Sequence, residues 1–200
     1  MHTISRSACG FGAAAAAVLA LSAGAAWAHT GVGATSGFAA GVLHPILGPD
    51  HLLVMLAAGV WAGQHGGRAH WALPAAFLTL VGVGLAVGMV TPAFALTEML
   101  ILASLVALGL LIALEKRFRV VWAAGLVGLF AFFHGHVHGA EVPATASGLD
   151  YAAGVLAATA LLLTGGLALQ WALQRLSARW GARLAGLLVL AGAGGIAIGA

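Results

Sequence analysis

His44-Pro45-Ile46-Leu47-Gly48-Pro49-Asp50-His51 sets two imidazoles, a carboxylate, two prolines and a glycine inside an apolar run from Phe38 to Trp61. In all other respects the run reads as a membrane span. A carboxylate near the centre of such a span costs roughly 2.5–3.5 kcal/mol on insertion scales, so it is rarely found there without a partner. Pro45 and Pro49 each remove a backbone donor where the polar side chains sit, which weakens the helix at that point. The stretch therefore reads as half of a metal site on a transport path, and the rest of the chain must supply the other half.

The whole chain has the composition of a membrane protein. Of its 200 residues 62% are hydrophobic and 6% charged, with a mean hydropathy of +1.07. Soluble domains carry about 25% charged residues, so there is too little polar surface here to cover a water-soluble globule. The net charge of +3 comes from eight basic residues. That is too few for a nucleic-acid face, and no nucleic-acid partner is expected. The one lysine, Lys116, follows Leu114-Glu115, so the G-x-x-x-x-G-K-[ST] phosphate loop is absent. The chain cannot be its own ATPase.

Residues 1–28 read as a secretory signal peptide: Arg6, an apolar stretch from Phe11 to Ala25, and an A-x-A site at Ala26-Trp27-Ala28. Cleavage there leaves a mature chain, 29–200, without the single cysteine, Cys9. Six apolar runs follow, at about 36–63, 70–90, 97–114, 119–140, 150–173 and 182–200. Each approaches the roughly 20 residues that cross a hydrocarbon core. The expected fold is an all-α integral membrane bundle of six transmembrane helices in one permease-like domain, with the lipid bilayer as its medium. Repeated small residues, as in Gly82-x-Gly84-x-x-x-Gly88, suit close helix packing in lipid.

Charge orients the bundle. Arg68, then Lys116, Arg117 and Arg119, then Arg175, Arg179 and Arg183 all fall in alternate connections. The intervening ones, near Thr91–Thr97 and Glu141–Asp150, hold no Lys or Arg. The positive-inside rule makes the basic side cytoplasmic. The expected location is a bacterial inner membrane, with both ends of the mature chain in the periplasm. Trp61, Trp71, Trp122, Trp171 and Trp180 lie near the basic ends, as an interfacial belt would.

The other half of the site is legible in Phe133-His134-Gly135-His136-Val137-His138-Gly139-Ala140-Glu141. At about 100° per residue His134, His138 and Glu141 share one helix face, and His136 points elsewhere. Two imidazoles and a carboxylate on one face form a divalent-metal surface. His44 and His51 would likewise share a face if the first span stays helical, with Asp50 off that face. His134 lies fifteen residues beyond Arg119, about 22 Å along a helix. His44 lies roughly 12 Å below the outer end of its span by the same rise. Both sets fall in the outer half of the membrane, with Asp50 and His51 deeper, so the two can meet.

H-x5-D-H, here His44…Asp50-His51, and F-H-G-x-[AV]-H-G-x-E, here Phe133-His134-Gly135…His138-Gly139…Glu141, resemble the HupE/UreJ family of nickel/cobalt permeases. The first is also similar to the H-x4-D-H signature of another nickel/cobalt permease family, one residue longer. The resemblance takes in the export signal, the His29-x-Gly31 start and the six spans. It implies a secondary transporter taking up nickel, or cobalt, for enzymes such as hydrogenase or urease. It implies His44, Asp50, His51, His134, His138 and Glu141 as the metal residues, Ni²⁺ or Co²⁺ as transported substrate, no prosthetic group and no enzymatic activity. The alternative is a membrane-embedded metalloenzyme, since His134-x-x-x-His138 has histidine-box spacing; H-E-x-x-H is absent. A haem-binding bundle is a third reading.

Residues around this set carry weaker signals. After cleavage His29 would offer a free α-amine and an imidazole as one chelating unit at the entrance. His136 reads as an entrance or surface residue. His65 and His70, flanking Arg68, read as solvated loop histidines. Glu98 reads as a helix N-terminal carboxylate, and Met55 and Met89 as core.

Overall fold

The computed structural model describes residues 37–176 and 180–199; the expected signal peptide and His29 lie outside them. Among the described residues there are seven helices: α1 (Gly37–Leu47), α2 (Pro49–His65), α3 (Ala69–Gly88), α4 (Thr97–Ala113), α5 (Val120–Ala140), α6 (Gly148–Leu176) and α7 (Gly181–Gly199). They coincide with the expected runs, except that the first run is not one helix. Its two pieces are bent by 78° at Gly48. Pro49, at the first position of α2, has no N–H to continue the ladder from α1. Gly48 is extended (φ −78°, ψ 108°), and its N–H still donates to His44 O at 3.0 Å while its carbonyl accepts from Leu52 N at 2.9 Å. Pro45 stays inside α1. The break is thus one residue wide, with its flanking backbone groups bonded.

Glycine sets how close the helices come. A Cβ on Gly84 or Gly88 would lie 2.0 or 2.1 Å from the carbonyl oxygens of Phe132 or His136, and one on Gly135 or Gly139 would lie 2.1 or 2.2 Å from those of Val81 or Leu85. α3 and α5 therefore interlock backbone to backbone, and their residue numbers rise together, so they run parallel. Gly41 meets the backbone of Tyr151, and Gly59 that of Leu163, which makes α1–α2 and α6 parallel. Gly109 faces Leu190, and Gly186 faces Ala113, so α4 and α7 are antiparallel. Close approach through small residues is what remains as a packing force in lipid, where burying leucine gains little.

The bundle is apolar on its outside as well as in its core. Leu149, Val121, Val90 and Ile198 are exposed, whereas three histidines of α5 are fully buried. Four helices are long and apolar enough to cross a membrane (α3, α5, α6, α7), and the α1–α2 pair meets the same length and composition only when its two bent halves are taken together. α4 is apolar but shorter, at 17 residues. The basic connections gather at one end. His70 and Arg117 line one cavity with Gln170 and Gln174, and Arg183 Nε lies 2.9 Å from Glu115 Oε1. Trp71, Trp122, Trp171 and Trp180 are exposed, as a belt requires, but Trp61 is fully buried. Its indole N–H donates to Lys116 O at 2.9 Å, which takes it out of the belt and makes it a tie between α2 and the α4–α5 loop.

Candidate metal site

The break at Gly48 builds the site. In a straight helix His44 and His51, seven residues apart, are displaced by about 10 Å along the axis. Across the bend their ring centroids are 5.9 Å apart. His138, in the last turn of α5, packs against both, at 4.8 Å from His44 and 4.4 Å from His51. One ring nitrogen from each of these three residues lies within 4.8 Å of the other two. Metal–nitrogen bonds of about 2.0–2.1 Å hold ligands about 3–4 Å apart, so shifts under about 1 Å would close the set.

His134, one turn before His138, lies 5.4 Å from His51 and backs onto Phe77 at 6.4 Å. Its Nδ1–H donates to Phe130 O at 2.8 Å, which leaves the lone pair on Nε2. That Nε2, both nitrogens of His138 and Nε2 of His51 are buried without a hydrogen-bond partner. Buried polar atoms are nearly always bonded. A cluster of unbonded imidazole nitrogens inside an apolar bundle therefore has the form of a binding site, and neutral imidazole is a ligand for divalent transition metals.

The two carboxylates flank the imidazoles. Asp50, in the first turn of α2, accepts the backbone N–H of His51 at 2.9 Å. The same Oδ1 is 3.0 Å from His51 Nδ1, but off line for a hydrogen bond. A helix N-terminus favours an anion there. Glu141, the residue capping α5, places Oε2 3.1 Å from His44 Nε2. Of the six expected residues, then, three form the nitrogen set, His134 adjoins it, and Asp50 and Glu141 each hold one of its histidines. Tyr151, the only tyrosine, carries no spacing signal in the sequence. It is buried on α6 with its ring 6.1 Å from His44 and its hydroxyl unpartnered.

Two loop and surface expectations are corrected. His136 is fully buried, not a surface residue. It leaves α5 on the face away from the cluster, stacks on Phe94 at 4.0 Å and meets Thr91 Oγ1 at 2.9 Å. His65 is not a solvated loop residue either. Its Nδ1–H donates to Trp61 O at 3.0 Å, and its Nε2 accepts the N–H of Phe118 at 3.2 Å. Glu98 opens α4, as expected, and Met55 is in the core. His29 lies outside the described residues.

No solved structure matches the chain. A protein of Rhizobium leguminosarum bv. viciae named "Protein HupE" is 42% identical over 144 residues, which is 72% of this chain and 75% of that protein. The family described as "HupE / UreJ protein" matches residues 16–197, a range that contains the broken first span, α5 and every residue of the cluster. The chain belongs to the HupE/UreJ family.

Proposed function

We propose that this chain is a permease that carries a divalent transition-metal cation, nickel or cobalt, inward across the bacterial inner membrane to supply metalloenzymes such as hydrogenase or urease. The observation that carries the reading is the convergence of His44, His51 and His138 within 4.8 Å, from elements nearly a hundred residues apart. Family membership supports it. Imidazole and carboxylate without thiolate suit Ni²⁺ or Co²⁺ and disfavour Cu(I).

In this reading the bent α1–α2 pair and the 17-residue α4 each cross the membrane, for six crossings after a cleaved signal peptide. The basic end, which holds Arg68, Arg117 and Arg183, faces the cytoplasm, and the mature termini face the periplasm. Glu141, 30% exposed, lies at the outer rim beside His44. A cation captured there sheds water, passes to His51 and His138, and continues to His134. The membrane potential, about 2.3 kcal/mol per charge per 100 mV, draws a divalent ion inward. Asp50 accepts the backbone N–H of His51 and sets a negative charge beside its ring.

Uptake of radioactive nickel by cells expressing the chain, with cobalt as competitor, tests the proposal. His44→Ala, His51→Ala and His138→Ala should each lower uptake by at least about ten-fold at matched membrane levels. Uptake at the unmodified rate in any of the three overturns the assignment.

A further inference from the structure

The basic end of the bundle is not a flat patch. A cavity of about 390 Å³ opens between the last turn of α2, the first turn of α3, the α4–α5 loop and α6, walled by His70, Arg117, Trp171 and Gln174. Gln64 and Gln170 form its floor, with their carboxamide oxygens unbonded and sealed from solvent. The groups that can meet a ligand are therefore those of the wall, where Arg117 and Gln174 are exposed and His70 is half-buried. No carboxylate lines the cavity. Glu115, two residues before Arg117, is paired with Arg183 at 2.9 Å, and among the described residues Arg117 has no acidic partner.

The loop that carries Arg117 is pinned on both sides of it. The carbonyl of Lys116 accepts the indole N–H of Trp61 at 2.9 Å, and the N–H of Phe118 donates to His65 Nε2 at 3.2 Å. Both anchors belong to α2, so the backbone of Arg117 is fixed beside the cavity. His70 lies in the first turn of α3, the end that carries the positive part of the helix dipole. On the α6 side the guanidinium of Arg175 lies 3.6 Å from the centre of the Trp171 ring, which sets a second cation beside the rim. A lining of this kind takes an anion. Trp171 is 61% exposed and Trp71, next to His70, 79%, as residues at headgroup level are. Basic pockets between transmembrane helices take acidic headgroups. We infer that this cavity binds the phosphate of an anionic phospholipid from the leaflet at the basic end. The lining has no carboxylate to receive the ammonium group of a zwitterionic headgroup, so it discriminates by charge. The inference needs the chain to lie in a bilayer and makes no use of nickel.

The test uses the full chain in neutral-detergent micelles at about 0.15 M salt, where charges beyond about 8 Å are screened. Dansyl-labelled phosphatidylglycerol is titrated while energy transfer from tryptophan is read, and unlabelled lipids or inorganic phosphate compete. The expected result is a saturable site, for which unlabelled phosphatidylglycerol competes at least about five-fold better than phosphatidylcholine with the same chains. Arg117→Gln, at an exposed position, should weaken the site at least about five-fold. Gln174→Glu, which sets an anion in the wall, should weaken it by at least as much. Arg119→Gln removes the same charge outside the lining and should change affinity by less than about two-fold. Absence of a saturable site overturns the inference, and so does equal competition by the two lipids. Equal weakening by Arg117→Gln and Arg119→Gln also overturns it, since diffuse surface charge would give that result. Inorganic phosphate competing as well as the lipid would reveal a site for a free anion and overturn the lipid reading. No readout here involves nickel, so failure leaves the transport proposal standing, and a chain that takes up no nickel still has this cavity decided by its own titration.

Discussion

Replacing His138 by leucine should raise stability without metal and lower it with metal. His138 is fully buried, and neither ring nitrogen has a hydrogen-bond partner. Each unmet buried polar atom costs about 1–3 kcal/mol. Leucine fills similar space with no polar atom, so in excess chelator His138→Leu should be more stable by about 2–6 kcal/mol. Nickel at a hundred times its dissociation constant stabilises a one-site protein by about 2.7 kcal/mol. For a chain of this size that corresponds to a rise in Tm of about 5–11 °C. The unmodified protein should show that rise and the variant almost none, so the order of stability narrows or reverses when metal is added. The assay is thermal unfolding in micelles, followed by tryptophan fluorescence, in EDTA and in saturating nickel. A structural histidine behaves differently. If the variant loses about 2 kcal/mol or more in EDTA, or if nickel raises both Tm values equally, the reasoning from unbonded nitrogens is wrong.

Other outcomes follow from the same geometry. Gly135→Ala puts a Cβ 2.1 Å from Val81 O, against backbone that cannot step aside, so α3 and α5 must part. The variant should lose several kcal/mol, above the roughly 1 kcal/mol of an ordinary substitution, and run as aggregate on size exclusion. Gly125→Ala, with nothing within 4 Å of its Cβ, should be neutral or slightly stabilising. Gly48→Ala with Pro49→Leu restores a continuous helix ladder, and His44 and His51 should move from 5.9 Å towards the roughly 10 Å of a straight helix. Nickel-dependent stabilisation should vanish while the protein still reaches the membrane; retained stabilisation would show that the bend is not required. Asp50→Asn keeps an acceptor for the His51 N–H but removes the charge, and uptake of radioactive nickel should fall by about 10–100-fold. Normal uptake by that variant would remove Asp50 from the machinery.

Much of the architecture is local and was legible. Apolar runs of span length, bounded by charged or Pro/Gly-rich connections, can only be satisfied in lipid as helices that bond their own backbone. The one-sided placement of Arg68, Lys116, Arg117 and Arg175 reappeared as basic loops meeting at one end. The helical period put His134, His138 and Glu141 on one face, and the two prolines marked where the first span is weak. What periodicity cannot supply is the sense of a break or the choice of partners across space. Only the packed structure turned the weak point at Gly48 into a 78° bend that brings His44 back to His51. Only the parallel docking of α3 and α5 sent His136 to Phe94 and left His138 facing the bend. Trp61 lies at a span end, where position alone points to the interface, yet the α4–α5 loop folds over it and takes its N–H. Tyr151 and the two buried glutamines carried no spacing signal at all. Their unmet polar atoms become visible only when helices distant in sequence close around them, because burial is a property of the assembled bundle and not of any one segment.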